Sequence, residues 1–377
     1  MNFGFSEAHQ MLQEMLRDFT RNEIEPRDKW MDENGFDHAL HAKMAEAGIF
    51  TIPFDRKYGG AGFDYLAATM AIEEVAKGSA SVAIGLDSMW LAADVINMFG
   101  SPEQKDLYLP LAAQGKRICF ALTESCGGSD AAAIRSTAVK TDDGWLLNGS
   151  KAWITNSNAE YCIVLAKTDP NAGARGISAF IVPHEAEGLT VGEHEDKMGL
   201  RGSFTGEISF DNVRLPENAL VGELGKGFKY AMTALDAARI SIAAISLGLA
   251  EHAMEIAKNY ANERIAFGKP ISRFEGIQFK FADMASRIYA MRLMVYDVAK
   301  AKAEGRRFTL EAAQTKLLCT TWATQICLEA QQVLGGNGCS REFHVERLVR
   351  DAKMNEIAEG TSEIQRMIIG TTVLAGK

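Results

Sequence analysis

At 377 residues the chain exceeds one ordinary hydrophobic core, so two or three packed units are expected. With 47% hydrophobic and 24% charged residues it has the composition of a soluble globular protein, and its formal charge of −9 argues against a nucleic-acid binder, which presents a basic face. Glu7 and Glu14 interrupt the N-terminus before an apolar signal stretch forms. The longest apolar run, 240–250, is too short to span a bilayer, so no membrane insertion is expected. Six scattered cysteines, with no Cys-x-x-Cys pair and no histidines at zinc spacing, point to reduced, mostly buried thiols in a cytoplasmic protein without a metal.

In chain order, Ala8, Met11, Leu12, Met15, Leu16 and Phe19 recur at three and four residues after Ser6. That pattern predicts an amphipathic helix capped by Ser6 and ending near Pro26. Helical character returns at 37–48, 64–77 and 85–99, and resumes after Ser101-Pro102 up to Ala113. Tyr58-Gly59-Gly60-Ala61-Gly62 lacks the Gly-Lys-Ser/Thr of a phosphate loop and reads as a turn between helices. From Gly115 the texture changes to short β-rich runs at 118–122, 145–148, 152–155, 161–166, 177–182 and 207–210, parted by turn clusters such as Asp142-Asp143-Gly144. No helices alternate with them, so an antiparallel β barrel or sandwich is expected. After Gly225-Lys226-Gly227 long helical segments follow at 228–263, 273–304, 309–334 and 361–375, which suggests a four-helix bundle. The fold class is thus mainly α with a central β domain. The expected division is an N-terminal helical domain at 1–115, a middle β domain at 116–224 and a C-terminal helical bundle at 225–377.

Three stretches carry residues suited to chemistry. In 358–366, Ile364, Met367 and Ile368 recur at helical spacing, and Ser362 with Gln365 fits a capping box. Glu359 therefore sits on the tight turn entering a helix, where a carboxylate can project into a cleft. Taken alone, the pattern also describes the commoner solvated acid beside an ordinary cap. In 120–130 a strand runs into a glycine-rich turn with hydroxyls and open backbone N–H groups, which can approach a flat, hydrogen-bonding ligand or simply form a polar hairpin loop. In Lys151-Ala152-Trp153-Ile154-Thr155-Asn156, Trp153 and Thr155 share one strand face. A lone strand tryptophan is usually core, yet an aromatic beside a hydroxyl also suits a ring rich in heteroatoms.

The turn Thr123-Glu124-Ser125-Cys126-Gly127-Gly128-Ser129-Asp130, the strand Trp153-Ile154-Thr155, and Arg264-Ile265-Ala266-Phe267-Gly268 occur in order with Gln332-Val333-Leu334-Gly335-Gly336-Asn337-Gly338, Arg350-Asp351-Ala352-Lys353 and the 358–366 stretch. Together, and over nearly the whole chain, they resemble the acyl-CoA dehydrogenase family in a short- or medium-chain-like form. The resemblance implies FAD-dependent α,β-dehydrogenation of an acyl-CoA thioester to the 2-enoyl-CoA, with Glu359 abstracting the α-proton and flavin N5 accepting the β-hydride. It implies that Phe120, Leu122, Thr123, Gly128 and Ser129 meet the flavin ring, Ser129 also lying near the thioester, and that Trp153, Ile154 and Thr155 cover another side. Arg264 and Phe267 would reach the FAD diphosphate and adenine from a neighbouring subunit. Gln332, Val333, Leu334, Gly335 and Gly336 would add backbone there, and Thr361, Ser362 and Glu363 would also touch FAD. Asp236 to Arg239 would line the CoA-ester channel and Gly360 would contact substrate. A homotetramer, and an electron-transferring flavoprotein as redox partner, are implied in the same way.

Some positions depart from the family pattern. Ser125 and Gly127 stand where a proline and an alanine are common, which predicts a looser turn, and Glu275 stands where a glutamine is common, so it is left out of the site. Some relatives place their base in the segment matching Leu235-Asp236-Ala237-Ala238-Arg239. Here alanine precedes the arginine, which leaves that role to Glu359. The same fold also admits an enoyl-CoA reductase running in reverse, or a non-catalytic scaffold. Decarboxylating oxidation of glutaryl-CoA is disfavoured because 78–100 holds no Arg or Lys; Met89 and Trp90 there predict an apolar or bulky acyl group. No Gly-x-Gly-x-x-Gly or Gly-x-Ser-x-Gly suggests a nicotinamide enzyme or a serine hydrolase.

Overall fold

The computed structural model describes residues 3–376. Ser6 caps α1 (Glu7–Phe19) in a capping box completed by His9. The helix does not stop at Pro26. One π turn, Thr20–Ile24, leads into α2 (Glu25–Asn34), where Pro26 occupies the first turn and its missing N–H is no loss. Asp37 caps α3 (His38–Glu46), Asp64 caps α4 (Tyr65–Gly78), and Ser79 caps α5 (Ala80–Phe99), which begins five residues before the apolar periodicity suggests. A capping box at Ser101 opens α6 (Pro102–Tyr108).

The strands β1 (Ile118–Ala121), β2 (Thr137–Thr141), β3 (Gly144–Thr155), β4 (Tyr161–Lys167), β5 (Ile177–Pro183), β6 (Leu189–Val191), β7 (Thr205–Pro216) and β8 (Leu220–Val221) form one sheet. Its order is β6-β7-β3-β2-β4-β5-β8, with β1 on β4. All pairings are antiparallel except β1 and β2 against β4, which run parallel. The first exception arises because β1 enters from the helices alongside β4. The 145–148 and 152–155 runs are one bulged strand, and β2, β6 and β8 are too short or too polar to show a strand pattern. Trp145 packs edge-on against Phe180, with centroids 5.2 Å apart, in a core shared with Leu147, Val164, Phe210 and Val213.

Beyond the sheet lie α7 (Gly227–Glu263), a two-residue hairpin of β9 (Ile265–Ala266) and β10 (Lys269–Pro270), α8 (Glu275–Ala303), α9 (Thr309–Leu334), α10 (Val345–Ile357) and α11 (Ser362–Leu374). The sequence reading misses α10, although Val345, Leu348, Val349 and Ala352 recur at helical spacing and three of them are buried. Ion pairs also fasten it to α2, Arg347 to Asp28 at 2.5 Å and Arg350 to Asp32 at 2.7 Å. Residues 237–250 of α7 are buried on every side because α4, α5 and α9 surround them. By length and composition α5 and α7 could each cross a membrane, but both are mostly buried inside the fold. All six cysteine thiols are free, and only Cys126 and Cys339 are exposed.

A buried ionic cluster joins α4, α7 and α8. The Glu73 carboxylate accepts from Arg292 at 2.8 Å and Tyr296 at 2.5 Å, while Lys77 bridges to Glu251 at 3.0 Å. Glu73→Ala leaves the Tyr296 hydroxyl without its acceptor and Arg292 with Glu251 as its remaining carboxylate partner, and is expected to cost about 3–5 kcal/mol. A lowered urea midpoint checks this; an unchanged midpoint would mean that Glu74 and Glu251 compensate fully.

Candidate active site

Four residues, Ala358-Glu359-Gly360-Thr361, connect α10 to α11. Glu359 has φ +52° and Gly360 φ +95°, so two successive residues occupy the left-handed half of backbone space. For a glutamate that conformation costs on the order of 1–3 kcal/mol and needs external support. Lys316 of α9, fully buried, donates to the carbonyls of Gly360 at 2.8 Å and Glu356 at 3.1 Å. Gln365 donates to the same Gly360 carbonyl at 2.8 Å. Because Gln365 turns that way, the expected capping box does not form. The cap is Thr361, one residue earlier, accepting from the Ile364 N–H, and Ser362 instead reaches the Glu356 carbonyl.

Burial raises the Glu359 carboxyl above the ordinary glutamate range, opposed by the charges of Lys316 and Arg239. Burial likewise pushes Lys316 down to about 7, with Glu359 opposing the shift. Arg239 of α7 pairs with Asp236, whose other oxygen accepts from Thr309 at 2.8 Å. The expected channel residues Asp236 and Arg239 are thus brought to Glu359 as a linked pair. One turn along, Tyr65 of α4 donates to the Ala237 carbonyl at 2.8 Å and lies 3.2 Å from the Ser241 hydroxyl.

The α5 residue near this acid is neither Met89 nor Trp90. Trp90 donates to the Phe50 carbonyl at 2.7 Å, and Met89 lines a small apolar cleft with Met31, Met44 and Phe50. Asp87 is the residue involved. Burial pushes its carboxyl well up, and the Glu359 charge pushes further, with Ser241 opposing. Its signal in the sequence was an acid inside an apolar helix, with Asp94 seven residues on along the same face.

The second predicted stretch forms at the end of β1. The Gly127 N–H donates to the Glu124 carbonyl at 3.0 Å and closes the turn. The Glu124 carboxylate, itself buried, accepts from the N–H groups of Arg135 at 2.6 Å and Ser136 at 3.0 Å, the Ser136 hydroxyl at 2.7 Å and the Lys151 ammonium at 2.7 Å. Burial raises this carboxyl, but the Lys151 contact and the N–H donors outweigh it and hold it at about 2. Lys151 also donates to the Leu122 carbonyl at 3.2 Å, and the Ala152 N–H to the Thr123 carbonyl at 3.0 Å. The glycine turn and the Trp153 strand are therefore one unit. Gly127 leaves ordinary room for a side chain, and the Glu124 carboxylate ties the start of the turn to Arg135, Ser136 and Lys151.

Trp153 is not a core residue. Pairing of β3 with β7 slips between Lys151 and Ile154, Trp153 takes φ +60°, and its indole is 59% exposed. Ile154 and Leu122 are buried, so they can offer a ligand only backbone, while Phe120, Thr123 and Thr155 are half-buried and Gly128 and Ser129 are exposed. A standing aromatic, open N–H groups and hydroxyls beside it fit the flavin of FAD. The remaining expected residues lie elsewhere. Arg264 and Phe267 sit exposed on the β9–β10 hairpin, and among the described residues no hydrogen bond or ring contact joins them to the glycine turn. Gln332, Gly335 and Gly336 are exposed and Val333 and Leu334 buried at the end of α9, roughly 24 Å along the helix from Lys316. Glu363 is exposed beside Arg366, and Glu275 opens α8, where the helix dipole favours an acid.

Comparison with known proteins follows the same division. Models for the acyl-CoA dehydrogenase N-terminal, middle and C-terminal domains match residues 6–116, 119–213 and 225–374. The human mitochondrial short-chain specific acyl-CoA dehydrogenase is 44% identical over 98% of this chain and 90% of its own. The structure of butyryl-CoA dehydrogenase from Megasphaera elsdenii superposes with a TM-score of 0.97 at 41% identity, covering 99% of this chain and 100% of that one. A chain in a structure described as the electron transferring flavoprotein of Acidaminococcus fermentans gives 0.97 at 39% identity, covering 99% and 100%.

Glu124 also sets a pH dependence. Its folded value of about 2 lies below the ordinary 4.5, so its contribution to stability is complete above pH 4.5 and is lost as pH falls toward 2. Glu124→Gln is expected to be less stable than the parent at pH 7 and to lose less stability between pH 5 and pH 3. Urea unfolding of the apoprotein across that range measures it; parallel curves would remove Glu124 from this role.

Proposed function

The chain belongs to the acyl-CoA dehydrogenase family, and we propose that it desaturates a short acyl-CoA thioester between Cα and Cβ with Glu359 as the base. The observation that carries this is an acid on a strained turn, its proton affinity raised by burial, with two cations beside it. The α-proton of a thioester is weakly acidic, and a carboxylate kept partly out of water is a stronger base toward it than a solvated one. An acyl chain seated in the cleft displaces water and raises that basicity further. The backbone N–H beside Glu359 is the donor suited to the thioester carbonyl, where negative charge develops as the proton leaves. FAD, when bound, supplies the hydride acceptor for Cβ. Lys151 and Glu124 orient the turn and the Trp153 strand that receive it.

Three regions divide the labour in this reading. Residues 1–115 wall the acyl group, 116–224 hold the flavin ring, and 225–377 bring base, channel and dinucleotide contacts. The exposure of Arg264, Phe267, Gly335 and Gly336 supports a homotetramer in which these groups serve a neighbour's FAD. The likeness to the Acidaminococcus fermentans chain supports an electron-transferring flavoprotein as redox partner, and bacterial relatives support a cytoplasmic enzyme. The dehydrogenase names of the relatives favour desaturation over the enoyl-CoA reductase direction, and the intact base turn disfavours a scaffold. An acid at Asp87, with no cation on α5, disfavours a substrate bearing a distal carboxylate.

Glu359→Gln is expected to retain FAD and bind acyl-CoA while losing at least about 10²–10⁴-fold in turnover. Stopped-flow bleaching of the flavin by butyryl-CoA is the measurement, and parent-like bleaching in the variant would remove Glu359 from the role.

A further inference from the structure

Asp87 is 2% exposed and stands on the α5 face that meets α7, yet its Oδ2 has no hydrogen-bond partner among the described residues. A buried polar atom left in that state is costly, and native structures satisfy nearly all of them. The surrounding residues are equally unlike an alkyl pocket. Ser241 and Tyr65 place hydroxyls there, Tyr65 bonding the α7 backbone at Ala237, inside the segment that ends in Arg239. Lys302, which pairs with Asp94 at 3.0 Å, covers the Tyr65 ring at 3.5 Å. Arg239 in turn has an enclosed Nε without a partner. Polar groups with unused hydrogen-bonding capacity are thus enclosed where α4, α5 and α7 meet beside Glu359.

We propose that Asp87 is a specificity-determining residue whose unpartnered oxygen, with Ser241 and Tyr65 beside it, selects an acyl-CoA bearing a neutral hydrogen-bonding substituent such as a hydroxyl on the acyl chain. This rests on the reading of Glu359 as the base, and it names the substrate class of the same cleft. Burial and the Glu359 charge hold the Asp87 carboxyl toward its uncharged form, in which it both donates and accepts, so a hydroxyl satisfies it and a second carboxylate does not. A plain alkyl chain leaves the acid unsatisfied. Sites built to hydrogen-bond a substrate group discriminate strongly against the analogue that lacks it.

The test compares thioesters of four and six carbons, plain and ω-hydroxylated, on the holoenzyme. It reads kcat/KM with an artificial electron acceptor, and dissociation constants by calorimetry on the E359Q variant. The hydroxylated member is expected to be preferred tenfold or more at one of the two lengths, in both readings. Asp87→Val should invert that preference, and Asp87→Asn, which keeps a hydrogen-bonding side chain, should hold it within threefold. No preference for the hydroxylated member at either length overturns the proposal while leaving the base assignment standing, as does a loss in Asp87→Val that is equal for both members. Full turnover by E359Q strikes the base assignment instead, and the parent's ratio still decides the role of Asp87.

Discussion

The Lys316 ammonium, donating to the carbonyls of Glu356 and Gly360, is the contact on which the rest of the site depends. The last carbonyls of α10 have no partner within their helix, and the next residue must turn through a left-handed conformation that glutamate does not favour. One cation buried in α9 meets both needs. It satisfies the helix end and pins the peptide after Glu359, so the carboxylate is delivered into the cleft without a cap built from its own neighbours. The same charge limits how far burial can raise the Glu359 carboxyl. Lys316 thus bears on both position and proton affinity, with Gln365 sharing the first task and burial and Arg239 the second.

The β sheet repeats the device. Lys151, fully buried, donates to Glu124 and to the Leu122 carbonyl and so fixes the glycine turn from beneath. In both places the part facing the ligand is a short turn, while the ordering comes from a lysine with almost no access to solvent. A buried lysine is expensive unless every donor finds an acceptor. That expense is tolerable where the alternative is a mobile loop, since a base or a ring contact displaced by an ångström loses much of its effect.

Much of the fold could be read from periodicity and punctuation. Ser6, Ser101 and the glycine breaks fall where helices begin and end, and the change of texture at Gly115 falls just before β1. What escaped was set by partners distant in sequence. Helix α10 carries a local apolar repeat that was legible, but its docking through Arg347 and Arg350 on Asp28 and Asp32 lies in no local window. Strands β2, β6 and β8 are defined by pairing rather than by their own residues. At the site, Glu359 and the glycine turn were legible, but the cap shifted by one residue because Gln365 preferred the Gly360 carbonyl. On α5 the eye goes to the large side chains Met89 and Trp90 rather than to the buried acid Asp87 beside them. Rotation of a helix about its axis depends on what it packs against, and composition gives little purchase on that.

Backbone strain supplies an independent map of the same regions. Seven described residues other than glycine have positive φ: Trp153, Asn156, Leu200, Asn212, Phe267, His344 and Glu359. Asparagine tolerates that conformation, which leaves five to explain. Asp351 holds Leu200 by accepting its N–H at 2.6 Å, and His344 opens α10. Trp153 and Glu359 are held by a strand slip and by Lys316, and both face the cleft expected to receive ligand. Phe267 is held by the β9–β10 hairpin, whose two-residue turn takes Phe267 and Gly268 both at positive φ. Its side chain is 95% exposed, with the Phe274 ring edge-on at 6.0 Å between centroids. Strain persists where surrounding structure over-determines it. Here the pairing of two short strands supplies that support and leaves the large side chain standing exposed at the tip.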